Sequence, residues 1–371
     1  MGKPLVISTA GWSGGVLNVH GLEVSSSTGK LEGYLRNKGI VYRLVPMDYR
    51  DYKRCAKATG VAQMPQVEWG AGQWLTDTTL IIEYLEKLYA HNTVTLTDPF
   101  MQFMVQLLED FGDEWVKRSS VCHRWSHLND ARLVSAQLAD SVLGDLAVPN
   151  PLKRWAILRR QRTLFLKREG CTSRTVQRLL SHYIQLLDAL EPVLASQPFV
   201  FGQRPTLADY GLFGPMFRHF FSDPTPARIL KNRAPAVQEW IARLWNCRLD
   251  ELSDKPMPVT MPAASSGLWS LVESEYFPYM QANEAAFLSD RSHCEFKSGG
   301  VTFKVPVHTY RVWRFQRLRQ RFHALSPECR SQVAEWMPSV FSVLFNPVPR
   351  LITPPIAELP LGSSNPVSIS A

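Results

Sequence analysis

The stretch Gln63-Met64-Pro65-Gln66-Val67-Glu68-Trp69-Gly70, followed by Leu75-Thr76-Asp77-Thr78-Thr79-Leu80-Ile81-Ile82-Glu83-Tyr84-Leu85-Glu86, restricts the fold of this chain more than any other. A proline stands directly before a short strand-like run, a position that marks a candidate cis peptide bond. Gly70-Ala71-Gly72 leaves room only for a tight turn, so the two short strands around it must pair antiparallel. Leu80, Ile81, Tyr84, Leu85 and Leu88 then recur at helical spacing. Asp77 and Thr78 fall at the start of that helix, among N–H groups that have no partner within it. Such a helix start favours a small anion.

The flanking segments extend this pattern. Leu17 to Val24 alternates as a strand, and Ser25-Ser26-Ser27-Thr28 supplies caps for a helix that Gly39 ends. Ile40 to Pro46 predicts a second strand, which makes a parallel βαβ unit. With a part-helical segment at 48–60, residues 17–90 read as β-α-β-α-β-β-α. Beyond Ala90 the pattern is helical. Phe100 to Val116 predicts one helix, residues 130–170 carry two amphipathic segments, and Arg174 to Leu194 carries a continuous apolar stripe. Thr206-Leu207-Ala208-Asp209 predicts a capping box.

These elements resemble the glutathione transferase superfamily. Gln63-Met64-Pro65-Gln66 is similar to the family's Gln-Val-Pro-x. Thr76-Asp77-Thr78-Thr79-Leu80-Ile81-Ile82-Glu83-Tyr84-Leu85 is similar to its (Glu/Gln)-Ser-x-Ala-Ile-x-x-Tyr-Leu. Thr206-Leu207-Ala208-Asp209 resembles the start of its buried C-terminal-domain helix. The resemblance covers about residues 17–247. It implies an α/β thioredoxin-like N-terminal domain at 17–90 and an all-α C-terminal domain at 99–247. An N-terminal arm is expected at 1–16 and a Pro- and Ser-rich linker at 248–266. Residues 267–345 predict a small, mostly helical extension with a β-hairpin at Cys294 to Pro306, and 346–371 a disordered tail.

Glutathione is the ligand that the resemblance implies, as co-substrate, and its chemistry matches the residue types. The backbone of Met64 before Pro65 can pair with its cysteinyl backbone. Thr78 can hold its γ-glutamyl carboxylate and Asp77 its ammonium. Lys53 and Gln63 are candidates for the glycine end. The thiol needs a donor that favours the thiolate. In serine-type members that donor lies fourteen residues before the glycine ending the first helix, which points to Ser25, with Ser26 second. The alternative for the serine run is a plain helix cap. Trp115, His123 and Trp125 are candidates for the second-substrate pocket, although aromatic residues at helical spacing also build cores. The expected activity is attack of the glutathione thiolate on a small electrophile. Asp and Thr stand where Glu or Gln and Ser are usual, and 117–172 is enlarged. These departures leave open a non-catalytic binding or assembly module that uses the extension.

The remaining features bound the setting. Net charge is +8, mild enough that nucleic acid is not implied by charge alone. Two basic runs stand out, Lys153 to Arg162 and Arg311 to Arg321, each interleaved with aromatic residues. Acidic lipid or nucleic acid would fit them; the simpler reading is helices whose charges face water. Cys55, Cys122, Cys171, Cys247, Cys294 and Cys329 form no closely spaced pair, so neither a disulfide framework nor a metal site is expected. With no long apolar run and no secretion pattern, a cytoplasmic protein without membrane partners is expected. A homodimer is implied by the resemblance alone.

Overall fold

The computed structural model describes residues 15–70, 72–347 and 352. The expected arm at 1–16 and tail at 346–371 fall almost wholly outside them. The N-terminal part runs β1 (Leu17–Gly21), α1 (Ser26–Lys38), β2 (Tyr42–Pro46), α2 (Tyr49–Thr59), β3 (Gln66–Trp69), β4 (Gln73–Thr76) and α3 (Thr78–Leu88). Its sheet has the order β2-β1-β3-β4, with β1 parallel to β2 and antiparallel to β3. Val19 stands beside both Leu44 and Val67, and Val67 beside Leu75. Val19, Val67 and Leu75 are fully buried on the core side. This is the thioredoxin-like arrangement. Gly39 ends α1 at φ 76°, a conformation that costs glycine little. The segment at 48–60 is more helical than its charge suggested, because Asp48 caps α2 through the N–H of Asp51 at 2.8 Å.

A helical domain follows. α4 (Pro99–Phe111) passes through a π-helical turn, Gly112–Val116, into α5 (Lys117–Ser126). α6 (Leu128–Val142) and α7 (Asn150–Arg160) come next, and α7 passes through a second π-turn, Gln161–Phe165, into the short α8 (Leu166–Arg168). α9 (Val176–Ser196), α10 (Leu207–Pro215), α11 (Pro224–Arg233) and α12 (Pro235–Asn246) complete it. α10 lies at the centre, with all of its residues buried. Its capping box forms as expected, and Asp209 also accepts from Val200 N at 2.9 Å and Trp240 Nε1 at 3.0 Å. A Cβ at Gly211 would lie 2.7 Å from Glu109 Cα, so α10 crosses α4 at backbone contact and only glycine fits.

The extension comprises α13 (Ser266–Leu271), a π-turn Val272–Tyr276, α14 (Phe277–Leu288), the hairpin β5 (His293–Ser298) and β6 (Val301–Pro306), then α15 (Thr309–His323), α16 (Pro327–Trp336) and α17 (Phe341–Phe345). The hairpin turn is Gly299-Gly300, both at positive φ. The extension closes on two short helices, α16 and α17. The extension is built into the body. Phe296 and Phe303 of the hairpin pack against Trp115, at ring-centroid distances of 5.8 and 6.4 Å.

Two sequence expectations are corrected here. Cys122 and Cys171, 49 residues apart, form a disulfide with Cα atoms 5.8 Å apart. Spacing along the chain hides the pairing, because the α6–α8 excursion separates two points that the fold brings together. The second basic run does not face water. Arg311, Arg314 and Arg319 are buried, each on a carboxylate: Glu114, Asp110 and Glu284 respectively. Arg317 and Arg321 share Glu83. Charges can enter an interior when each finds a partner. Among the described residues no helix is long and apolar enough to cross a membrane.

His182 of α9 illustrates the cost of burying a titratable group. It is 1% exposed between Phe111 and Trp115, and neither ring nitrogen has a hydrogen-bond partner among the described residues. Burial, followed by the charge of Arg178, pushes its pKa down to about 3. The unfolded chain therefore binds a proton below about 6.5 that the native state refuses. The resulting stability is present at neutral pH and lost as pH falls from about 6.5 towards 3. Relative to the wild type, His182→Leu should gain on the order of 1 kcal/mol per pH unit below that onset. Urea midpoints measured at several pH values check this, and an unchanged pH slope would contradict it.

Candidate functional site

The residues singled out at the start converge on one cavity of ≈ 250 Å³. Three parts of the chain line it. Ser27, Gln63, Met64, Pro65, Asp77 and Thr78 come from the N-terminal domain. Asp113, Glu114, Lys117 and Glu169 come from the helical domain, and His308, Tyr310 and Arg311 from the extension. The Met64–Pro65 peptide bond is cis.

Asp77 is the most constrained residue of the site. It precedes α3 at φ 70°, an uncommon backbone conformation for a residue with a side chain. Strain of this kind concentrates at functional sites and persists only when the surroundings enforce it. Here its Oδ1 accepts from the N–H groups of Thr79 at 3.1 Å and Leu80 at 3.2 Å. Its Oδ2 accepts from the Tyr310 hydroxyl at 2.6 Å. Both the helix start and the extension therefore hold this carboxylate.

The three serines separate into three roles. Ser25 caps α1, its hydroxyl accepting from Thr28 N at 3.3 Å. Ser26 is buried and does not line the cavity. Ser27 does line it, and its Oγ accepts from Lys117 Nζ at 3.5 Å. Among the described residues, Lys117 makes no ion pair of its own. A cation and a hydroxyl thus meet in the cavity wall with capacity for an anion. Gln63 also lines the cavity, its amide donating to Thr76 Oγ1 at 2.9 Å. Lys53 does not; it is exposed on α2, its ammonium 4.3 Å from the Tyr49 ring centroid.

Behind the wall, the buried Lys30 ammonium donates to Thr79 Oγ1 at 3.0 Å, Glu109 Oε1 at 2.7 Å and Asp113 Oδ2 at 2.6 Å. Burial works against the Asp113 carboxylate, outweighing Lys30, and with Glu109 nearby its pKa is pushed up to about 6. Glu169 shows the opposite balance. Burial disfavours its charge, but Arg311 and Arg118 outweigh burial and hold it at about 2. Arg311 donates to Glu114 Oε2 at 2.6 Å, Tyr279 OH at 2.9 Å and Glu169 Oε2 at 3.3 Å.

The structure brings none of the proposed second-substrate residues to this cavity. Trp115, His123 and Trp125 are at most 3% exposed. Trp115 is enclosed by aromatic residues of the extension, Tyr279, Phe296 and Phe303. The His123 ring meets Tyr183 and Phe220, and burial pushes its pKa down to about 4. Sequence reasoning missed Lys117, Glu169, His308, Tyr310 and Arg311. For Arg311 a signal existed: Arg311, Arg314, Arg317 and Arg321 recur at helical spacing and form a stripe. A stripe of one sign needs acidic partners or water, and the chain alone does not say which. Elsewhere, His20, Asp51 and Cys55 place potential metal-ligand atoms within 4.8 Å of one another. His20 and Asp51 are already hydrogen-bonded at 2.7 Å, and Arg54 lies 3.2 Å from the other ring nitrogen.

Family comparisons agree with this geometry. A model described as "Glutathione S-transferase, N-terminal domain" matches residues 19–93. One described as "Glutathione S-transferase, C-terminal domain" matches residues 174–243. The chain carries glutathione transferase N-terminal and C-terminal domains. Comparison with curated proteins finds no match. Solved structures similar to this chain include the beta-etherase LigF from Sphingobium sp. strain SYK-6, at 18% identity and TM-score 0.46, covering 65% of this chain and 99% of that one. A glutathione S-transferase from Rhodospirillum rubrum F11 shares 14% identity with TM-score 0.44, covering 68% and 99%. FzlA from C. crescentus shares 17% with TM-score 0.41, covering 68% and 99%. Both family models end before the extension that supplies Tyr310 and Arg311 to the transferase-type cavity.

Two substitutions separate anchoring from site chemistry. Arg311→Met leaves Glu114 and Glu169 buried without their shared cation and should destabilise the fold by ~3–5 kcal/mol. Tyr310→Phe removes one hydrogen bond and should cost only ~1 kcal/mol. Thermal or urea denaturation of the two variants tests this ranking, and equal losses would contradict it.

Proposed function

We propose that the chain binds glutathione, or a closely related γ-glutamyl peptide, in the cavity at Met64, Asp77 and Thr78, and that it transfers the thiolate to a small electrophile. The observation that carries this reading is the convergence on one cavity of a strand-edge residue, a helix-start carboxylate and hydroxyl, and a Ser27–Lys117 pair. In this reading the Met64 backbone pairs with the cysteinyl unit. Asp77 takes the ammonium, Thr78 and the α3 start take the γ-glutamyl carboxylate, and Gln63 approaches the glycine end.

The thiol then lies towards Ser27 and Lys117. A hydroxyl donor and an ammonium both favour the thiolate, lowering a thiol pKa that is otherwise near 8.5. The thiolate sulfur forms a bond to the electrophilic carbon, and the leaving group departs with its electron pair. The thiol proton goes to solvent. Support for Ser27 over Ser25 comes from placement: Ser27 stands in the cavity wall, whereas Ser25, the cap of α1, is not among the residues that line the cavity.

A second reading is a non-catalytic module. Its supporting observation is the extension, whose Tyr310 already occupies Asp77 and whose Arg311 closes one wall. The cavity of ≈ 250 Å³ also falls below the ~300 Å³ at which ordinary ligand pockets begin.

Retention on immobilised glutathione, followed by conjugation assays with an aryl halide, decides between the readings. Ser27→Ala should lower kcat/KM by about 10²-fold with binding largely kept. Ser25→Ala should mainly cost ~1 kcal/mol of stability through the lost cap. Binding without turnover in the wild type would favour the module, and no binding at millimolar glutathione would remove the enzyme reading.

A further inference from the structure

The two basic runs look alike in sequence but have opposite fates in the fold. The arginines of α15 are paired with carboxylates of the body and of α14. In the segment from α7 to α8, every charged residue from 150 to 168 is a cation, and among the described residues only Arg154 reaches a carboxylate, Asp140, at 3.1 Å. Lys153 is buried and donates to Gly144 O at 3.4 Å. Arg159, Arg160, Arg162, Lys167 and Arg168 make no ion pair among the described residues.

The same segment leaves large apolar side chains in water. Leu152 is 56% exposed, Trp155 57% and Leu164 61%. Val148, just before α7, is 43% exposed. Leu152, Trp155 and Arg159 stand at i, i+3 and i+7, on one helix face. The Arg159 guanidinium lies 5.3 Å from the Trp155 ring centroid. Beside this face runs a groove of ≈ 530 Å³ between α8 and the hairpin. Arg160, Lys167, Arg168 and Lys304 line it, and no carboxylate does.

We propose that α7, α8 and the adjoining groove form a docking surface for an anionic lipid bilayer. Cations of one sign interleaved with tryptophan and leucine are the composition of helices that lie in a membrane interface. The apolar side chains enter the acyl boundary, the arginines meet lipid phosphates, and the groove takes a headgroup. Charge decides against a second copy of the chain, because a two-fold pairing would set these cations against themselves. The aliphatic side chains decide against nucleic acid, where stacking needs aromatic planes and phosphate contacts need only the cations. The surface does not include the glutathione-type cavity, whose lining residues are all different.

Co-sedimentation of the full chain with vesicles tests the proposal. The protein should pellet with equal parts phosphatidylglycerol and phosphatidylcholine, and remain in solution with phosphatidylcholine alone. Added salt should weaken binding, since part of the attraction is screened. The variant Leu152→Ser/Trp155→Ser/Leu164→Ser alters exposed positions and should keep the circular dichroism spectrum while losing ~10-fold or more in vesicle affinity. Arg159→Glu/Arg160→Glu/Arg168→Glu should abolish binding. The proposal is overturned by equal binding to neutral vesicles or by no binding to anionic vesicles at low salt. It also fails if the apolar variant binds normally, or if that variant instead dissolves a dimer seen by size-exclusion chromatography. Salt-sensitive retention on RNA with no vesicle binding would assign the face to nucleic acid and overturn it equally.

Discussion

The structure depends most on the seam where α15 meets the transferase core. Arg311 reaches Glu114 and Glu169, and Arg314 reaches Asp110, all of them buried. An isolated charge in such a place would be costly, so each side of the seam requires the other. The extension is therefore not an appendage that can leave without consequence. Removing it would leave several carboxylates in the core without their cations. The same seam sets Tyr310 on Asp77, so the packing that holds the extension also shapes the cavity.

This arrangement changes the architecture that the family resemblance implied. In the expected plan, Trp115, His123 and Trp125 would face a second substrate. Here the hairpin and α14 cover Trp115 with Phe296, Phe303 and Tyr279. The aromatic area goes into packing, which is its commoner use. What remains is a small, strongly polar cavity with one wall supplied by the extension. It contains the Ser27–Lys117 pair, Asp113 with its raised pKa, and a carboxylate at Asp77 held from two directions.

The enlarged region between α5 and α9 has a different role. It separates Cys122 from Cys171 along the chain, while the fold returns Cys171 to α5. Its helices also carry exposed apolar side chains and cations that, Arg154 apart, make no ion pair among the described residues. A protein surface scatters single hydrophobic residues without meaning, but a cluster of them among charges of one sign is informative.

Local chemistry made much of this protein legible from sequence alone. Asp77 had to begin a helix because its carboxylate caps N–H groups within a few residues. Gly39 had to end one because only glycine readily adopts its positive φ. Thr206 and Asp209 had to form a capping box, and Val67 and Leu75 had to pair across a turn of a few residues. Each of these depends on neighbours close in the chain, so order and spacing suffice. Fold class and the Met64, Asp77 and Thr78 side of the cavity follow from the same short-range rules together with the resemblance. The tertiary structure alone decided which serine faces the cavity, because Ser25, Ser26 and Ser27 differ only in direction. It alone joined Cys122 to Cys171, paired one basic run with carboxylates up to 238 residues away in sequence, and left most of the other without a carboxylate among the described residues. Those outcomes turn on which distant surfaces meet, and side-chain type and spacing carry no record of that.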